Sequence, residues 1–81
     1  MAITLIRSGK TVARNATKLR RATGMSRNAF AKTVGISSYT MGLIESRYDQ
    51  KERYTPALST VIKLATAAGV SVEEFISTSL I

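Results

Sequence analysis

Apolar side chains return along this chain every three or four residues, and the spacing divides it into helical segments separated by glycine. Val12, Ala16 and Leu19 fall at i, i+4 and i+7 and predict a first helix over residues 11–23, ended by Gly24. Phe30, Ala31 and Val34 mark a second, short helix that opens at a capping Ser26 and closes at Gly35, where a left-handed backbone is cheap only for glycine. A third opens at once. Ser37 is placed to cap it and Met41 and Ile44 continue an inward stripe, so it covers residues 37–46 or slightly more, because Arg47 rather than a glycine follows Ser46. Thr55 and Pro56 have the form of a cap and first helical residue for a fourth helix, with Leu58, Val61, Ile62, Ala65 and Ala68 on one face and Gly69 at its end. Ser71 with Glu74 makes a capping box for a fifth, in which Val72, Phe75 and Ile76 point inward.

The two ends are more apolar than free tails need to be. Ile3, Leu5 and Ile6 at one end, and Leu80 and Ile81 at the other, suit short strands, flaps packed on the helical core, or a dimer contact, and packing on the core is the preferred reading. The expected organisation is an N-terminal arm or flap over residues 1–10, a helical domain over 11–77 and a tail over 78–81. The fold class is all-α, with five helices and short extended segments at the termini.

Composition narrows the function. At 81 residues the chain is one domain with no room for a deep substrate cavity. It has no cysteine and no histidine, which removes thiolate sites, the commonest metal ligand and the commonest general base. Carboxylates are not clustered as a pair near any plausible pocket, so the expectation is a protein that is not an enzyme and uses no metal, cofactor or small-molecule substrate. The apolar run at Ile3–Ile6 is too short to span a bilayer, which makes the cytoplasm the expected location.

Charge adds a direction. Of the +7 net charge, the whole excess lies early: residues 1–44 hold Arg7, Lys10, Arg14, Lys18, Arg20, Arg21, Arg27 and Lys32 and no acidic side chain. From Ala57 onward there is only Lys63 against Glu73 and Glu74. Such a field favours a polyanion, with binding that weakens steeply as salt rises.

A longer register of positions then becomes visible: Val12, Ala16, Leu19 and Arg20; Gly24-Met25-Ser26; Phe30-Ala31; Val34-Gly35-Ile36-Ser37; Thr40, Met41 and Ile44-Glu45; Pro56, Leu58, Leu64-Ala65 and Ala68-Gly69-Val70-Ser71. In this register, over residues 12–77, the chain resembles the XRE family of helix-turn-helix DNA-binding domains, to which the lambdoid phage Cro and repressor proteins belong. The resemblance implies a compact lambda-repressor-like fold whose third helix enters the major groove of double-stranded DNA. It implies base-edge contacts from Ser38, Tyr39, Gly42 and Leu43, and a structural ion pair between Arg20 and Glu45 that pins helix one against helix three. Relatives often put Gln, Arg or Lys at the base-reading places; here only single hydrogen bonds from Ser38 and Tyr39 and an apolar contact from Leu43 are on offer.

Phosphate contacts are expected from Ser26 and Arg27 at the start of helix two, where the family commonly carries a glutamine at the second place, and from Ser37 at the start of helix three. Arg47, Lys51, Arg53 and Tyr54 continue the set in a segment longer than the family pattern, which either extends helix three, forms a basic flap along the backbone or is a solvated loop. Arg7, Lys10 and Arg14 are candidate contacts of a basic arm following a groove. The leading expectation is a small transcriptional repressor or regulator of phage or bacterial origin, as a homodimer if its operator is a palindrome. The alternative is a protein-interaction module, an antitoxin or accessory subunit, with Tyr39 and Leu43 touching another chain.

Overall fold

The computed structural model describes residues 5–48 and 56–77, with side chains from Gly9 onward in the first stretch. Five helices make it up: α1 (Leu5–Thr23), α2 (Arg27–Val34), α3 (Ser38–Tyr48), α4 (Leu58–Ala68) and α5 (Val72–Ser77). There is no strand among the described residues. No described helix is long and apolar enough to cross a membrane.

The longest element, α1, packs on both α3 and α5, while α4 leans on α5 and α2 on α3. Each helix contributes to a single core: Val12, Ala13 and Ala16; Phe30 and Ala31; Met41 and Ile44; Val61, Leu64 and Ala65; Phe75 and Ile76. One buried polar bond ties the first helix to the last, from Asn15 Nδ2 to the Phe75 carbonyl at 2.8 Å. It satisfies a carbonyl in the final helical turn, a group with no partner inside its own helix.

Local chemistry explains the boundaries. The Ser26 hydroxyl accepts the Ala29 amide at 3.2 Å and the Ser37 hydroxyl accepts the Thr40 amide at 3.0 Å, so both helices open on side-chain caps. Gly35 has φ 94°, and its amide and that of Ile36 both return to the Ala31 carbonyl, closing α2 and turning Ile36 back toward the core. The Ser71–Glu74 capping box forms reciprocally: the Glu74 amide donates to the Ser71 hydroxyl at 3.1 Å, and the Ser71 amide donates to the Glu74 carboxylate at 3.4 Å.

Three expectations need correction. Residues 5–10 are neither arm nor flap but the first turns of α1. Gly9 is buried and falls with Val12 and Ala16 in the register of the core stripe, so packing outweighs the roughly 1 kcal/mol helix penalty of glycine. Pro56 is not the first residue of α4. The helix begins at Leu58 after an extended Ala57 that offers no side-chain cap, and Pro56 stands one residue earlier, fully buried. Pro56 and Val61, also fully buried, occupy the two positions that a hydrophobic staple joins. The proposed cap Thr55 lies outside the described residues. Finally, Leu58 and Ile62 are 49% and 46% exposed, because α4 turns Val61, Leu64 and Ala65 inward and those two positions fall beyond the edge of that arc. Residues 1–4 and 78–81, where the remaining terminal expectations fall, lie outside the described residues.

Candidate nucleic-acid interface

Glu45 is the centre of the polar network that fixes α3. Its side chain is 6% exposed and receives two guanidinium groups. Arg20, from the last turn of α1, approaches in fork geometry, Nε to Oε2 at 2.5 Å and Nη2 to Oε1 at 3.1 Å, and its Nη1 reaches the Met25 carbonyl at 3.1 Å. Arg27, from the start of α2, donates through Nη2 to the same Oε1 at 3.3 Å. One carboxylate therefore joins α1, α2 and α3, and with two cations on one anion the cluster keeps a net positive charge.

The second arginine could not be foreseen from the register, which left Arg27 free for phosphate. Its route passes over Gly42. A Cβ at residue 42 would lie 3.6 Å from Arg27 Nη1, ordinary contact distance, so the guanidinium crosses α3 over the glycine on its way to Glu45 three residues later. Arg27 nevertheless keeps 51% of its side chain exposed, with donors left over for an outside partner.

The outer face of α3 is formed by Tyr39, 76% exposed, and by the half-buried Ser38, Gly42 and Leu43. Ser46 belongs with them, a turn beyond Leu43 and two turns beyond Tyr39; it was overlooked because it reads as the end of the helix, whereas α3 continues to Tyr48. Arg47, half-buried, borders this face on the side away from Gly42. Tyr48 turns back and lies under Arg21 of α1, whose guanidinium carbon is 5.7 Å from the ring centroid.

The anion candidates divide into three groups. Ser26 and Ser37 commit their hydroxyl oxygens to their own helices as caps of the Ala29 and Thr40 amides, and the Ser37 hydroxyl also donates to Thr40 Oγ1 at 2.8 Å, so what α2 and α3 hold out at their starts is the remaining first-turn backbone amides. Lys10 and Arg14 are side chains of α1, the first exposed and the second half-buried, and Arg7 is a residue of the same helix. Lys51, Arg53 and Tyr54 lie outside the described residues. The one cation of α4, Lys63, is directed elsewhere: its Nζ donates to the Gly35 carbonyl at 3.1 Å, beside a shallow groove lined by Thr33, Val34, Ile62, Thr66 and Ala67. Among the described residues no three His, Cys, Asp or Glu side chains come together as a metal site would need.

Compared with models of protein families, with curated proteins and with solved structures, the chain matches none of them.

Proposed function

We propose that this protein binds double-stranded DNA with sequence preference and acts as a small repressor or regulator by occupying an operator, with α3 in the major groove. The observation that supports this reading most is the contrast between the two sides of α3. One side is pinned through Glu45 to two other helices, and the other holds Ser38, Tyr39, Leu43 and Ser46 out together beside the half-exposed Arg27. A helix meant to read a groove needs that combination, because a base contact has value only if the backbone behind it is fixed. The resemblance of the sequence to XRE helix-turn-helix domains points the same way.

In this reading the three hydroxyl-bearing side chains give single hydrogen bonds, Leu43 meets a thymine methyl, and the backbone at Gly42 comes close to the DNA. None of them makes a bidentate pair, so part of the discrimination falls to DNA shape and deformability. Arg27 and the first-turn amides of α2 and α3 hold phosphates. No cofactor or small molecule is required, and the cytoplasm of a bacterial or phage-infected cell is the proposed setting.

Selection of bound duplexes from a random pool, followed by anisotropy titration of the winner against scrambled DNA at two salt concentrations, tests the proposal. It predicts a clear preference for the winner at both salts and a steep loss of affinity as salt rises. A palindromic winner with half-sites about 34 Å apart would add a dimer. Equal binding of winner and scramble would reject it. The large exposed Tyr39 with its apolar neighbour Leu43 favours a protein partner as the second reading, and that predicts little salt dependence.

A further inference from the structure

The extension of α1 to Leu5 changes what its cations are. Lys10, Arg14, Lys18 and Arg21 follow one another at intervals of four, four and three residues, and at 3.6 residues per turn they fall within an arc of about 80°. Arg7 continues the same register toward the start of the helix. The core stripe of Val12, Ala13 and Ala16 occupies the opposite side, so the basic row is the face that α1 turns outward, with Lys10 and Arg21 exposed and Arg14 and Lys18 half-buried. No acidic residue occurs anywhere in α1. Like charges at i, i+3 and i+4 oppose helix formation, and here they are stacked without any compensating carboxylate on the helix.

We infer that the outward face of α1 is a phosphate-binding surface for duplex nucleic acid, separate from the face of α3 and indifferent to base sequence. From Lys10 to Arg21 the row is about 17 Å long, equal to roughly five base-pair steps of a duplex backbone. The chemistry beside the row favours a duplex over other anions. A helix that lies on a membrane sets exposed apolar residues next to its cations, whereas from Gly9 onward α1 keeps Val12, Ala13 and Ala16 in the core and flanks the row with Thr11 and Ala22. Single strands are held by stacking on aromatic rings, and α1 has none. The row also reaches α3, since the Arg21 guanidinium lies over the Tyr48 ring in its last turn.

The inference does not depend on base reading by α3, and the test separates the two. Salt-dependent affinity is measured on the selected and on a scrambled duplex for the wild type, for Lys10→Gln/Lys18→Gln and for Lys32→Gln/Lys63→Gln, which removes the same charge from the α2–α4 side. Glutamine keeps helix propensity, and Arg14 and Arg21 are left in place. The first pair of changes should lower the magnitude of the log–log salt slope by about 1.8 on both duplexes, and the second by less than about half a unit. Equal changes for both pairs would reduce the row to net charge and overturn the inference, as would a wild type that binds phosphatidylserine vesicles but neither duplex. A slope loss confined to the first pair, with selected and scrambled DNA bound alike, would keep this surface and reject base reading. Melting curves check that each variant folds; if Lys63→Gln does not, because it loses the bond to Gly35, the single changes Lys10→Gln and Lys32→Gln give the same comparison at about 0.9 per charge.

Discussion

The helices of residues 5–48 are joined to one another by charge as well as by apolar packing, whereas the pair in residues 56–77 relies on packing, helix caps and hydrogen bonds to neutral groups. Both ion pairs found among the described residues end on Glu45 and link the first three helices. In the second region Gly69 takes φ 73°, the Val70 amide returns to the Ala65 carbonyl, and Phe75 is fully buried. The difference is one of task. An apolar core holds helices together but tolerates small rotations, while a fork of hydrogen bonds on a buried carboxylate fixes the angle at which α3 is held out. Residues 56–77 brace the fold, and residues 5–48 orient what it presents.

The contrast breaks most sharply where the brace is removed. Phe75→Ala should cost about 4 kcal/mol by leaving a cavity under α1, a large share of the stability of a domain this small, and should lower the melting temperature by on the order of 20 °C in circular dichroism. Glu45→Ala comes next, at about 3 kcal/mol, because Arg20 would be left mostly buried without its carboxylate; Arg27→Ala, which removes only a half-exposed partner, should stay within about 1 kcal/mol. Equal costs for these two would mean that Glu45 serves both arginines alike and that the fork from α1 is not special. The smallest stability effect belongs to Tyr39→Ala, expected within about 0.5 kcal/mol, with a roughly five- to tenfold loss of affinity for the selected duplex; Ile62→Ser, also exposed but on the bracing side, should change neither.

Much of this architecture was legible because it rests on short-range chemistry. Ser26, Ser37 and the Ser71–Glu74 box announce helix starts within three residues, and Gly24, Gly35 and Gly69 announce ends by a backbone conformation that other residues avoid. The start of α1 was not legible, since Gly9 has a local cost that only its burial outweighs. Nor was the inward face of α4: Leu58 and Ile62 are as apolar as Val61 and Leu64, and neighbouring helices decide which of them are covered. At the candidate interface, the Arg20–Glu45 pair was expected from the resemblance alone, and the two side chains do meet. Arg27 was assigned to phosphate alone, since no local pattern reports that a side chain 18 residues away in sequence crosses a glycine to share the same carboxylate.

Gly42 carries a consequence for how such a surface could acquire new targets. An alanine there fits beside Arg27 at ordinary contact distance, whereas a longer side chain would share space with the guanidinium. In the proposed reading, Gly42→Gln would add an amide able to recognise adenine and crowd Arg27 on its way to Glu45. In that reading specificity and affinity would be coupled at this one position, and a variant that gains a new preferred sequence by this route is expected also to bind all sequences more tightly.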